Sequence, residues 1–467
     1  MTGCPRIGAG PASLLLAIAL ILLLAACSGN GDPTDEAPTP PPDTPAPSPT
    51  PSPDPTIAPT PTPTPIPEPA VNLIAYVGHD DNIYTIRPDG ADQQLVSIPM
   101  SGETASLVGG AFFDSHTVYN WPTWAPDASK LAFTSYSPNG DFAGALWLVD
   151  VPGGLPDKVF QDPDDTIGRF VAQRSPHYIY WAPESDRVAF LAPTPRSLVL
   201  YMIEAEDPHH PETLSFGAPS YMAWSPDGRY LLHHLVDAVD LVDTRNDFAR
   251  ASLNTRSTTF RTPAWSPDSR QIAYVDFSRG ADTLVVSDLQ GNSKVDVTTV
   301  DILTVFLWSP SSNEIAHTQL TPAASLGIPT YAGLAVFNVE TGERRQITNR
   351  EVAAFFWSPD GSTLAYVTVD RSSSTISWYV NDSTGQAEKK LTDFIPSSEQ
   401  LFVMFAFFDQ YAYSNSLWSP DGRSLVYSGR DPNANGSGGN TIQVISIDGS
   451  SPPQVVAPGN LAFWSPK

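Results

Sequence analysis

From residue 73 onward, short apolar runs alternate with polar turns along the chain. LAFTS (131–135), VAFLA (188–192), LLHHL (231–235), IAYVD (272–276), IAHTQ (315–319), LAYVT (364–368) and LVYSG (425–429) are the clearest. Runs this short, rich in branched and aromatic residues and bounded by Pro, Asp and Gly, predict strands rather than helices. A second run follows each: LWLVD (146–150), LVLYMI (198–203), TLVVSDL (283–289), LAVFNV (334–339), SWYVND (377–382) and TIQVISID (441–448). A turn such as Asp448-Gly449 or Thr341-Gly342 and a weaker third run, such as RRQIT (344–348), complete the pattern.

Ahead of these runs stands one motif, Trp-Ser-Pro-Asp-Gly or a variant, at Trp124, Trp181, Trp224, Trp265, Trp308, Trp357 and Trp418, and again at Trp464. Successive tryptophans lie 41 to 61 residues apart, a period that marks a repeat architecture. Proline presets φ and Asp-Gly favours a tight turn, so the motif reads as a β-turn between the first and second strands of a unit. With the strand ending at the tryptophan, each repeat supplies four antiparallel strands, which predicts an all-β fold, a β-propeller. Residues 73–97 read as strands two to four with no first strand, and NLAFWSPK (460–467) as a first strand alone. Pairing the two would close a ring of eight blades and leave no open sheet edge. Seven blades is the alternative, should one weak repeat be an insertion.

The N-terminal residues read as an address. Arg6 precedes SLLLAIALILLLAA (13–26), an apolar run short for a membrane span, which ends at Leu24-Ala25-Ala26-Cys27. That ending resembles the lipobox of bacterial lipoproteins. The resemblance implies a signal peptide over 1–26, acylation of Cys27 and a lipid-anchored, extracytoplasmic protein of the bacterial cell envelope. Cys4 and Cys27 are the two cysteines of the chain, so after processing no thiol remains for a disulfide or a zinc site. In 33–69, seventeen of 37 residues are proline, which predicts an extended spacer rather than a core. At roughly 3.1 Å per residue it could reach on the order of 110 Å. The propeller then occupies 70–467.

The repeat Trp-Ser-Pro-Asp-Gly, with an apolar run after it and turns such as Arg87-Pro88-Asp89-Gly90 later, resembles the TolB-type propeller. The resemblance covers residues 72–467 and implies the fold. The same repeat serves periplasmic scaffolds, lipoproteins and peptidase-linked propellers, so it implies no single activity.

A net charge of −25 repels nucleic acid and anionic lipid surfaces. In an up-and-down blade, two-to-three loops and blade-to-blade connections emerge on one face. The long insertions 98–117, 136–144, 151–177, 320–332 and 393–414 are assigned to it, and lengthened loops on a rigid scaffold carry binding function. Their aromatic and polar residues suit stacking on a sugar or gripping a peptide. The candidate ligand-binding residues are Asp114, His116, Trp121, His177, Tyr178, Asp409, Tyr411 and Tyr413. Phe402, Phe405 and Phe408 read as packing.

No Gly-x-Ser-x-Gly elbow, His-Glu-x-x-His or phosphate-cradling loop is present. Asp431, Asn433 and Asn435 have the oxygen spacing of a calcium loop, but Ile442 stands where its closing Glu belongs. No other cofactor is expected. The sequence therefore reads as a monomeric, non-enzymatic binding propeller for a protein, peptide or glycan. A propeller-fold glycan lyase or hydrolase with acidic and His residues at the channel mouth is the alternative.

Overall fold

The computed structural model describes residues 72–98, 117–137, 144–162, 175–194, 197–253, 255–257, 261–277, 280–292, 294–300, 304–318, 327–372, 375–433 and 439–467. Cys27, Asp114, His116 and Asn435 lie outside these residues, as do 1–71.

The repeats fold into four-stranded antiparallel sheets. Val118–Trp124, Lys130–Tyr136, Ala145–Asp150 and Asp157–Gln161 form one in chain order. Three further sheets repeat the plan, starting at His177–Trp181, Ser220–Trp224 and Ala264–Trp265. From Phe306–Trp308 to Gln454–Pro458 the strands run on as a ten-stranded array. Its long member, Arg344–Trp357, pairs with Tyr331–Asn338 through its first part and with Thr363–Asp370 through its second. One strand thus ends one repeat and begins the next. Helix is confined to Gln400–Phe405, a π-helix, and Phe408–Tyr411 among the described residues. The architecture is nearly all-β and consistent with a β-propeller.

The sheet of Ile74–Val77, Ile83–Ile86 and Gln94–Leu95 takes its fourth strand from Leu461–Trp464. These run antiparallel with Ile74 opposite Trp464 and Ala75 opposite Phe463. All eight residues of the two paired strands are buried.

The repeat motif does two jobs. In its turn, the serine hydroxyl donates to the aspartate carboxylate at 2.6 Å in four copies, Ser225–Asp227, Ser266–Asp268, Ser358–Asp360 and Ser419–Asp421. Its tryptophan ties one repeat to another. Trp181 donates its indole N–H to the Thr123 carbonyl at 3.1 Å, Trp224 to Tyr180 at 3.1 Å, Trp265 to Ala223 at 2.9 Å and Trp357 to Leu307 at 3.2 Å. Trp124 likewise donates to Phe463 at 3.4 Å. Each acceptor is the residue just before the tryptophan of the preceding repeat. Trp308 departs from the rule and donates within its own turn, to Ser312 at 3.1 Å.

The assigned insertion 151–177 is not one connection. Asp157–Gln161 lies within it as a fourth strand paired with Ala145–Leu148, because Val159 and Phe160 are buried. Residues 151–156 are therefore a three-to-four turn, and only 162–176 connect one sheet to the next.

Candidate functional site

The aromatic insertion after Lys389–Pro396 does not stand out into solvent. Its Gln400–Phe405 and Phe408–Tyr411 turns lie against strands of several sheets. Phe408 packs edge-on against Tyr331, Phe355 and Phe356, and Phe405 edge-on against Trp378. Tyr411 stacks on Trp121 with centroids 4.4 Å apart and meets Tyr178 edge-on at 5.7 Å. Asn415 donates its side-chain amide to the Pro122 carbonyl and to the Thr123 hydroxyl, at 3.3 and 3.2 Å. Tyr413 accepts from the Trp308 N–H at 2.7 Å and donates to the Trp308 carbonyl at 3.0 Å. The segment is packed onto strands of several repeats through these rings.

Trp121 and Tyr178 reach it by the same device. Each sits at a β-bulge in the first strand of its sheet, where the ladder register shifts. Their φ angles are 56° and 50°, a left-handed conformation uncommon for bulky residues. A bulge re-aims a side chain, and here two rings are turned onto Tyr411.

A buried ion pair lies beside these rings. Arg261 Nη1 is 3.6 Å from Asp409 Oδ2, and the two side chains are 7% and 2% exposed. Both Asp409 carboxylate oxygens lack a hydrogen-bond donor among the described residues. Arg261 also donates to the Tyr331 hydroxyl at 3.4 Å. Tyr178 donates to the Met222 carbonyl at 2.5 Å. Burial raises the Tyr178, Tyr221 and Tyr411 hydroxyls well above the usual tyrosine range.

The sequence-derived candidates therefore divide. Trp121, Tyr178, Asp409 and Tyr411 are brought together, but as buried packing rather than as a presented surface, because the insertion folds inward over them. His177 is buried too, with its ring nitrogen on the Ser175 carbonyl, and burial lowers its pKa to about 4. Tyr413 keeps a partly exposed ring. Asp431 accepts the Asn433 backbone N–H at 2.8 Å, which makes it the start of a turn. No group of three or more His, Cys, Asp or Glu residues is placed to hold a metal ion among the described residues.

Sequence reasoning missed Arg261, Tyr221 and the exposed Phe407 of the insertion. A signal for Tyr221 was present. Trp121, Tyr178 and Tyr221 each stand three residues before a repeat tryptophan, in WPTW, YIYW and YMAW. Nothing local marks Arg261.

One arrangement resembles a nucleophile and base. Ser220 Oγ lies 3.0 Å from His233 Nε2. The other ring nitrogen, Nδ1, faces the Arg250 guanidinium at 3.5 Å. Arginine can only donate, so Nδ1 accepts and Nε2 carries the proton. Ser220 then faces an N–H rather than a base lone pair, and His233 is fully buried. Burial lowers its pKa to about 4. The pair is structural.

No family model matches the chain. A stretch of 85 residues is 36% identical to the uncharacterized peptidase YuxL of Bacillus subtilis (strain 168). That stretch is 18% of this chain and 10% of YuxL, so the chain matches only a tenth of that relative's length. Among solved structures, dihydro-heme d1 dehydrogenase NirN in complex with DHE aligns at a TM-score of 0.50 and 13% identity, over 84% of this chain and 75% of NirN. TolB from Acinetobacter baumannii aligns at 0.38 and 14% identity, over 66% of this chain and 74% of its own. Oligogalacturonate lyase from Vibrio parahaemolyticus aligns at 0.46 and 14% identity, over 67% and 84%. At such identities the likeness to NirN is a likeness of fold.

Proposed function

We propose that this chain is a lipid-anchored binding propeller of the bacterial cell envelope. Acylated Cys27 holds it at the outer side of a membrane, and the proline-rich spacer carries an eight-bladed ring closed by the last strand. The pairing of Leu461–Trp464 with Ile74–Val77 supports the ring, as does the stepwise donation of repeat tryptophans to neighbouring sheets. The protein acts by holding a partner, not by chemistry on it.

One observation carries this reading. The aromatic insertion expected to present a surface packs instead onto the strands, through Phe405 on Trp378, Phe408 on Phe355 and Tyr411 on Trp121. The ion pair of Arg261 with Asp409 beside these rings is buried. Binding then belongs to the exposed rim of the insertion face, where Phe407 stays 43% exposed.

The test is retention of envelope proteins and glycans on immobilised protein, with wild type compared with Phe407→Ala and with Asp227→Ala in an opposite-face turn. An interface aromatic is worth about 2 kcal/mol, so Phe407→Ala should weaken retention more than tenfold. Asp227→Ala should not. Chemical turnover of a captured glycan, or equal retention by all three proteins, contradicts the proposal.

A further inference from the structure

One cavity has a lining unlike the apolar contacts between the sheets. It is an open recess of about 480 Å³ beside Thr363–Asp370, Thr375–Asp382 and Lys389–Pro396. That volume falls within the roughly 300–1,000 Å³ of small-molecule sites.

Its floor is set by strand register. Thr368 lies directly opposite Ser377, and Ser377 directly opposite Asp393, so the three side chains share one face in a cross-strand row. On the next row Tyr379 stands opposite Lys390. Thr368, Ser377 and Tyr379 are 9%, 6% and 8% exposed, so this is a recessed polar floor and not a solvated edge. Such a row on a sheet face is normally apolar when buried, because an unmatched hydroxyl costs about 1–3 kcal/mol. The Ser377 hydroxyl donates to Asp393. The Thr368 and Tyr379 hydroxyls are not among the sealed, unpartnered groups, so they face the opening and can meet whatever enters.

Charges of both signs ring this floor in matched pairs. Lys390 Nζ is 2.6 Å from Asp393 Oδ1. The Arg350 guanidinium stacks 4.6 Å above the Tyr379 ring and meets Glu388 at 3.2 Å. Asp370 and Asn433 complete the opening.

This chemistry narrows the ligand. A phosphate or nucleotide needs an excess of cations, and here each cation already faces a carboxylate. A lipid or an apolar peptide anchor needs an apolar wall, and a free aromatic platform is missing because Arg350 covers Tyr379. What remains is a neutral molecule dense in hydroxyls, each able to donate to one side chain and accept from the next. We infer that this cavity binds a neutral pyranose unit, the terminal sugar of a glycan. Asp370 and Thr375 close a two-to-three hairpin, and Asn433 begins another such connection, so the cavity opens toward the insertion face. The inference rests on the binding reading above and names its ligand class.

The experiment is calorimetric titration of the whole protein with D-glucose, D-galactose, D-mannose and N-acetyl-D-glucosamine, followed by their β-linked oligomers. The expected result is saturable binding by at least one, with Kd about 1 mM for a monosaccharide. Asp393→Ala and Thr368→Val should each weaken it at least tenfold. Lys390→Met, an exposed change that removes the ion pair to Asp393, should do the same without lowering the melting temperature. Absence of saturable binding by every sugar overturns the inference. So does binding unchanged in Lys390→Met and Asp393→Ala. If sugars fail while the envelope retention experiment yields a Phe407-dependent protein partner, the glycan ligand is wrong and the binding propeller stands. Should a sugar bind at this cavity and be cleaved, the cavity stands and the non-catalytic reading falls.

Discussion

Trp124 donates its indole N–H to the backbone carbonyl of Phe463, 3.4 Å away in space and 339 residues away in sequence. The same bond joins Trp181 to Thr123, Trp224 to Tyr180 and Trp265 to Ala223, so a chain of donors runs from the last strand through four sheets. The repeat tryptophan is a latch between sheets as well as the end of a strand. A buried indole N–H that finds a carbonyl secures a large apolar group at no desolvation penalty.

The latch makes a paired prediction. Trp181→Phe keeps an aromatic ring but strands the Thr123 carbonyl, and should cost about 1–3 kcal/mol in urea unfolding. Trp418 is the contrasting case, since its buried indole nitrogen has no acceptor among the described residues. Trp418→Phe should cost clearly less than Trp181→Phe. Equal losses at the two sites would mean that ring volume alone matters.

A second prediction concerns the inserted segment. Asp409→Ala removes the carboxylate that faces Arg261 in a buried site and should lower stability by about 3–5 kcal/mol. Arg261→Met with Asp409→Leu removes both charges and should recover most of that loss. Thermal melts of the single and double variants decide it. A single variant as stable as wild type would show that the pair is solvated and the segment loosely held.

Stability should fall in acid through the buried histidines. His177, His233 and His317 are each depressed by burial to about 4 from an ordinary value near 6.5. Below pH 6.5 the unfolded chain takes up protons that the folded chain refuses, so their contribution is complete above pH 6.5 and is lost progressively toward pH 4. The shift corresponds to about 3 kcal/mol apiece at most. Asp162 opposes them, since burial raises its carboxyl to about 8. Its contribution is complete below about pH 4 and is lost as pH rises toward 8. Both ring nitrogens of His317 lack partners among the described residues, so His317→Leu should flatten the melting temperature between pH 6.5 and 4.5. An unchanged slope would exclude His317 as a contributor.

The anchor is tested by labelling. Cells given radiolabelled palmitate should label the wild type, while Cys27→Ser should give an unlabelled, mislocalised precursor. Label retained on that variant would dismiss the lipobox.

Strands and turns were legible in the sequence because their causes are local. Trp-Ser-Pro-Asp-Gly sets its own turn through a serine-to-aspartate bond two residues away, and the alternation after it sets which side chains are buried. The candidate site was legible only as a set of residues. Trp121 and Tyr178 owe their direction to bulges, which no residue type announces. Tyr411 and Asp409 are buried because a whole insertion turns inward, an outcome of long-range packing against Trp121 and Arg261. Asp157–Gln161 carries no strand signal in the sequence because its two buried residues, Val159 and Phe160, are flanked by exposed polar ones.

The proposed ring is what would gather the insertions on one face, and one cross-link tests it directly. The Leu73 N–H donates to the Ser465 hydroxyl at 3.0 Å, and the Ser465 N–H to the Leu73 carbonyl at 2.8 Å, so the two backbones are neighbours. Leu73→Cys with Ser465→Cys, in a chain whose Cys4 and Cys27 are serine, places two thiols within disulfide reach. Mild oxidation should give an intramolecular disulfide in nearly every molecule, read as faster unreduced migration and a raised melting temperature. Two free thiols after oxidation, or disulfides only between molecules, would contradict the ring.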